Sequence, residues 1–342
     1  MITLALSKKL QENCDKLSNP PYVCNGCPDK THCTLEKHIY FAVAAQNEYK
    51  TVLSEARSGV CVTETEAQEL DQLFTPLILQ GQSIHHICAT QPDEVMFSEK
   101  TMYNYIDLGV ISAKNIDLPR KVRFKPRKSS HDSFKVDKLC RINRTYEDFL
   151  VFLSNWPDCP IVQIDSVEGT KGGKVLLTIH FVKSEFMLAF IRDRNTAASV
   201  LNIFNELYDT LSTETFKLLF PVLLADNGSE FSDPTSLEMD VKNELRTRVF
   251  YCNPNSPYQK GAIENNHEFI RRILPKGTSF NNLTQDKISL MMNHINSYCR
   301  ANLGDKSPYE MFRLFYGQAV LEALGAVHIP PNDITLRPSL LK

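Results

Sequence analysis

The sequence predicts a mixed α/β domain on a central sheet, preceded by an all-helical region. Three observations carry this. Up to about residue 112, apolar residues recur at the helical period between capping and stop signals. After Trp156 the pattern turns to short β-rich runs at 161–164, 174–182, 186–191, 216–225 and 248–252. Helical stretches at 196–211 and 259–274 interleave with these runs, as in a mixed sheet with flanking helices.

Taken in order, the first helix is expected over 34–58, where Leu35, Ile39, Ala42, Val43, Tyr49, Val52, Leu53 and Ala56 follow the 3.6 period and Gly59 supplies a stop. Thr63 with Glu66 three residues on is a capping-box start for a helix to about Gln80. Ser83 can cap 84–90, Gln91-Pro92-Asp93 breaks the chain, and Ser98 can cap 99–108 before Gly109. The last two form a helix-turn-helix pattern, in which the second helix packs one side inward and offers the other to the major groove. Met102, Tyr105 and Ile106 would then face in, leaving Lys100, Thr101 and Asn104, with Tyr103, toward DNA. A small helical bundle without a nucleic-acid partner is the plainer reading of the same pattern. His85-His86 lacks a partner at ligand spacing and reads as a helix-surface pair.

Charge separates these readings. The 342 residues, enough for two or three domains, carry a formal net charge of only −2. Residues 114–144 hold eleven Lys/Arg against three Asp/Glu, a local +8 that leaves −10 elsewhere. Within that stretch Arg120, Lys121, Arg123, Arg127 and Lys128 lie around Pro119 and Pro126, which oppose regular helix. A cationic linker beside a helix-turn-helix candidate points to phosphate contacts. Apolar runs such as 175–182 fall short of a membrane span, and residues 1–10 lack the order of a secretory signal, so no membrane partner and a cytoplasmic location are expected.

The ten cysteines are too uneven for a small disulfide scaffold, which favours a reducing compartment. Cys14, Cys24, Cys27 and Cys33 are spaced C-x9-C-x2-C-x5-C, with the CxxC in a Pro/Gly-rich turn. That spacing carries a structural-zinc reading beside the plainer one of reduced cysteines. Cys61, Cys88, Cys140, Cys159, Cys252 and Cys299 read as packing residues. The stretch 169–175 has three residues between its outer glycines and a Val in place of the Mg²⁺-binding Ser/Thr, so it is a hairpin and not a P-loop.

Three carboxylates stand out by position. Asp165 closes the apolar run Ile161-Val162-Gln163-Ile164, and Asp226 closes Pro221-Val222-Leu223-Leu224-Ala225. Glu264 lies near the start of the helix that follows a Pro-rich loop. Either Asp could serve only a turn, as Asp226-Asn227-Gly228 would. Together, two strand ends and a helix could bring hard oxygen ligands around divalent cations, the arrangement used in phosphoryl transfer.

Asp226-Asn227-Gly228-Ser229-Glu230-Phe231, then Asn255-Ser256-Pro257-Tyr258-Gln259-Lys260-Gly261-Ala262-Ile263-Glu264-Asn265, then Leu274-Pro275-Lys276-Gly277-Thr278 resemble the DDE transposases of bacterial insertion sequences, most of all the IS-thirty family. The likeness spans about 161–317, with Lys306-Ser307-Pro308-Tyr309-Glu310 near its end. It implies an RNase H-like catalytic core in which Asp165, Asp226 and Glu264 bind two Mg²⁺ ions, with Mn²⁺ as a substitute. Implied with it are water-driven cleavage at the element's ends, attack of the freed 3′-hydroxyl on target DNA, recognition of terminal inverted repeats, and a homo-oligomer on DNA, nucleoid-associated when bound. Asn227, Ser256, Gln259 and Lys260 are then positioning or phosphate-contact residues, Lys260 among the DNA-binding ones, and Arg271, Arg272 and Lys276 could follow the backbone. Between Asp226 and Glu264 lie 37 residues, more than the family pattern, which an insertion around 237–246 would explain. Glu230 and Glu268 are the alternative ligands. A transposase-derived DNA-binding protein without catalysis, and a nuclease of this fold that cuts without joining, are the rival readings.

The expected division is 1–60 a Cys-containing helical segment, 61–112 the helix-turn-helix, 113–155 the basic linker, 156–320 the catalytic core and 321–342 a C-terminal tail.

Overall fold

The computed structural model describes residues 14–56, 59–119, 139–254 and 256–342. Arg120, Lys121, Arg123, Arg127 and Lys128 of the expected linker lie outside the described residues. The chain divides into two compact units, one ending at Val62 and the other running from Thr63 to Lys342.

In the first unit the CxxC forms a 3-10 turn, Cys24–Gly26, and Asn25 holds the backbone of Tyr40 through both its amide groups. That bond keeps Tyr40 extended, so helix α1 spans Ala42–Glu55 and starts later than periodicity suggests. Among the described residues no group of three or more His, Cys, Asp or Glu is arranged to hold a metal. The Cys27 thiol is bonded instead by the Tyr22 hydroxyl and the Asp29 backbone, which hold it below its ordinary value.

The second unit opens with α2 (Glu64–Leu79), α3 (Ile84–Thr90) and α4 (Glu99–Leu108), each capped by the residue the sequence indicated: Thr63, Ser83 and Ser98. α4 buries Met102, Tyr105 and Ile106, and Gly109 ends it in the left-handed region. Lys100 and Asn104 are exposed and Thr101 is half-buried.

Next come α5 (Tyr146–Asn155), β1 (Ile161–Glu168), β2 (Val175–Phe181), β3 (Phe186–Arg192), α6 (Ala197–Thr210), α7 (Thr213–Leu219) and β4 (Val222–Ala225). They are followed by α8 (Pro234–Glu238), β5 (Arg248–Tyr251), α9 (Gly261–Ile273), α10 (Gln285–Ser297), α11 (Pro308–Tyr316) and α12 (Gln318–Ala323). The sheet order is β3-β2-β1-β4-β5, with β1–β2 and β2–β3 antiparallel and β1–β4 and β4–β5 parallel. This is the mixed sheet of an RNase H-like core, and helices cover both faces.

Two elements differ from the sequence reading. The run 216–225 splits into α7 and β4, because Ser212 caps a helix that buries Phe216 and Leu219 before the chain turns into the sheet. β1 continues through Asp165 to Glu168, since β2 keeps pairing with it after β4 has ended. The stretch 237–246 is a compact excursion: Met239 bridges Leu245, and Glu238 takes two bonds from Arg144 and one from the Val249 amide.

One face of the sheet buries Val162, Ile164, Leu223 and Ala225 against α6, α7 and α11. The opposite face splits into a core with α9 and α10 around Val167, Ile263 and Ile270, and a smaller one where Phe149 of α5 meets Leu224 and Phe250. Residues 321–342 supply Leu321 to the first face and Ile334, Leu336 and Leu341 to the second. Gly81 lets the α2–α3 turn lie against this stretch: its φ is +91° and a Cβ there would stand 2.9 Å from the Leu336 carbonyl oxygen. Among the described residues no helix is long and apolar enough to cross a membrane.

Candidate functional site

Register brings the two aspartates together. β1 and β4 run parallel with Gln163 opposite Leu224, so two residues further along each strand, on the same face, stand Asp165 and Asp226. This is the end of the sheet where parallel strands place their sites. Each carboxylate spends Oδ1 on backbone: Asp165 accepts from the Ser166 amide at 2.8 Å, and Asp226 from the Gly228 amide at 2.9 Å. The turn role and the site role of Asp226 are therefore met by different oxygens. Gly228 also gives room to Glu230, whose carboxylate occupies the space a Cβ at this position would need.

The two Oδ2 atoms flank the Lys260 ammonium, whose Nζ is 3.4 Å from Asp165 and 3.9 Å from Asp226. It also donates to the Ile164 carbonyl at 3.0 Å. Lys260 is only 5% exposed, so in this arrangement it faces the carboxylates and not the surface where DNA would lie. Desolvation pushes the Asp226 carboxyl above its ordinary range, Lys260 opposes that, and Asp165 adds to it both as a like charge and as a hydrogen-bond partner.

Glu264 sits in the first turn of α9, exposed, and is pushed upward by partial desolvation and then by the charge of Asp165. The start of α9 is tied to β1 by Gln163, whose Oε1 accepts from the Ile263 amide at 2.9 Å. Gln163 is buried, and its signal in the sequence is a lone amide within an apolar strand.

His267, one turn past Glu264, also faces the site. Its Nε2 is 2.8 Å from the Thr178 hydroxyl, which donates to the Asp165 carbonyl at 3.1 Å. The hydroxyl has one proton, so Nε2 carries the hydrogen and Nδ1, 3.9 Å from Asp165 Oδ2, is left unprotonated. Burial pushes His267 down to about 3, so it is neutral. Sequence reasoning missed it, although its i+3 spacing from Glu264 places both on one helix face.

The remaining candidates are spread around this centre. Asn227 donates to the Cys252 carbonyl, and buried Gln259 accepts from the Asn253 amide, so both brace the loops. Ser256 bonds the Pro254 carbonyl. Arg271 donates to the Glu168 carbonyl, Arg272 lies over the Phe269 ring, and Lys276 is exposed. Glu230 is buried, and Glu268 is exposed on α9. His86 is corrected: it is fully buried, stacked on Tyr298 at 4.2 Å, and its Nδ1 accepts from the Cys299 amide.

The donor chemistry at Asp165 and Asp226 suits a hard divalent cation, and a monovalent one, the Lys260 ammonium, already stands between them. With that ammonium in place, no three ligand-type side chains among the described residues form a metal-holding group.

No protein-family profile matches the chain. It is similar to the probable transposase for the insertion-like sequence element IS1161 of Streptococcus salivarius, at 29% identity over 68% of this chain and 63% of that one. It is also similar to the transposase InsI of insertion sequence element IS30C of Escherichia coli K12, at 29% identity over 43% of this chain and 36% of that one. The chain thus spans just under two thirds of the first relative and about a third of the second. Among solved structures, the catalytic core domain of BIV integrase aligns with 46% of this chain and 95% of its own, at 20% identity and a TM-score of 0.34.

Proposed function

We propose that this relative of insertion-sequence transposases of the IS30 type is itself a DNA transposase, a polynucleotidyl transferase that cuts the ends of a mobile element and joins them to target DNA. One observation carries the reading: Asp165 and Asp226, from neighbouring parallel strands, turn their Oδ2 atoms onto a common cation position beside the helix that bears Glu264. These three carboxylates would hold Mg²⁺, two ions in the full site. A divalent ion held there would supply activation of the attacking oxygen and charge stabilisation at the phosphate. The chain's own groups do the positioning: Gln163 sets the start of α9, Thr178 and His267 brace Asp165, and the Asp226–Gly228 turn orients the second carboxylate.

DNA is the partner on this reading. The exposed face of α4, with Lys100, Thr101 and Asn104, would read the terminal inverted repeats, and the 114–128 stretch would contact phosphate. Oligomerisation across two ends follows from the need to join both.

The test uses the intact protein, labelled DNA from the ends flanking its own coding sequence, and target DNA in Mg²⁺. Cleavage and joining are expected for the natural protein, and Asp226→Ala is expected to abolish both while end binding persists. Equal activity in the variant would sink the assignment. Cleavage without joining would leave a nuclease of this fold.

A further inference from the structure

We propose that Lys260 is an internal counter-ion that closes the carboxylate site in the absence of metal and is expelled when a divalent cation binds. The inference rests on the proposed metal-dependent reading and goes beyond it, because it gives the chain's own lysine the role of competitor. The ammonium has three oxygen neighbours on three different residues: the Ile164 carbonyl at 3.0 Å, Asp165 Oδ2 at 3.4 Å and Asp226 Oδ2 at 3.9 Å. The Lys260 side chain is buried with an Oδ2 of each aspartate turned toward it, and without a cation between them the two like charges would repel each other. A surface lysine would not be drawn in this way. This one begins at the close of the 3-10 turn Pro257–Lys260, next to the first residue of α9.

A single positive charge neutralises only one of the two aspartates, whereas a divalent cation neutralises both. The ammonium and the metal cannot share the same Oδ2 atoms, since like charges at that range repel. Metal binding therefore releases the Lys260 side chain, which is long enough to carry its charge to the mouth of the site. There it would meet phosphate, so the DNA contact expected of Lys260 belongs to the metal-bound state.

The test needs no DNA. Acetylation of Lys260 by a small anhydride, read by peptide mass spectrometry on the intact protein, is expected to be slow in EDTA and several-fold faster in Mg²⁺. Lys260→Gln is expected to bind Mg²⁺ about tenfold more tightly by calorimetry, to melt at a lower temperature in EDTA, and to recover that loss in Mg²⁺. Lys260→Arg, which keeps the charge, is expected to bind Mg²⁺ as the natural protein does. Equal labelling in EDTA and Mg²⁺ would overturn the proposal, as would an unchanged Mg²⁺ affinity in Lys260→Gln. If Lys260→Gln does not fold, the labelling of the unaltered protein decides. Protein that labels as expected yet leaves DNA uncut would remove the transposase reading and leave the counter-ion in place. Cleavage with Lys260 equally labelled would do the reverse.

Discussion

At Asp165 two partly exposed carboxylates meet a buried ammonium, whereas around Tyr298 the buried polar groups are neutral. The first cluster holds two carboxylates and an ammonium whose three oxygen contacts range from 3.0 to 3.9 Å. In the second, Tyr298 stacks on His86 with the rings 12° apart, accepts from the Ser83 amide at 3.0 Å and donates to the Ser83 hydroxyl at 2.6 Å. Burial keeps Tyr298 protonated and pushes His86 down to about 4, so neither carries charge at neutral pH. A neutral cluster with short bonds through Ser83 and Tyr298 adds stability and has no charge to exchange. A charged cluster with longer contacts costs desolvation and can trade one cation for another, as the proposed exchange of Lys260 for a metal requires. The seam around Tyr298 joins α3 to the core, and Phe269, 5.6 Å from Tyr298, lies on the helix that carries Glu264.

This contrast predicts opposite responses to substitution. The largest effect is expected for Asp165→Asn, with strand cleavage reduced about a thousandfold or more and little loss of thermal stability. A large drop in melting temperature would show that the ionic cluster is structural. Tyr298→Ala should do the converse, costing about 3–5 kcal/mol in urea unfolding while cleavage per folded molecule stays near normal. Loss of cleavage without loss of stability would move Tyr298 into the functional machinery.

Acid separates the clusters further. Burial depresses His86 to about 4 and His180 and His267 to about 3. The unfolded chain takes up these protons below about pH 6.5 and the folded chain does not. Their contribution is therefore complete above that pH and is lost as pH falls, down to about 4 for His86 and about 3 for His180 and His267, by up to about 1.4 kcal/mol per pH unit for each histidine. Both ring nitrogens of His180 lack a hydrogen-bond partner among the described residues. His180→Leu should accordingly flatten the fall measured between pH 7 and pH 5 by unfolding midpoints. An unchanged slope would mean that His180 is not the buried neutral group described here. The smallest effect is expected for Tyr298→Phe, about 1 kcal/mol for the two lost bonds to Ser83.

Much of this was legible in the residues alone. Thr63, Ser83 and Ser98 mark their helix starts because a cap bonds within three residues of itself. Met102, Tyr105 and Ile106 point to the inner face of α4 because side-chain direction follows a fixed period. Asp226 just past β4 and Glu264 in the first turn of α9 were visible for the same local reason, whereas Asp165, expected at a strand end, lies inside β1. The length of β1 and the division of 216–225 were not, since strand extent depends on which partner is still pairing.

What only the tertiary structure decided concerns groups that meet across long separations. Lys260 and Asp165 are brought together by the parallel register of β1 and β4 and the placement of α9, which no local pattern encodes. His86 reads as a surface residue until α3 is packed on Tyr298, more than two hundred positions away. His267 faces Asp165 only once Thr178 on the neighbouring strand supplies the bond that orients its ring. Caps and periodic faces are fixed by bonds to near neighbours and survive translation into sequence. Charge pairing and burial are set by distance in space, and so they appear only when the chain is folded.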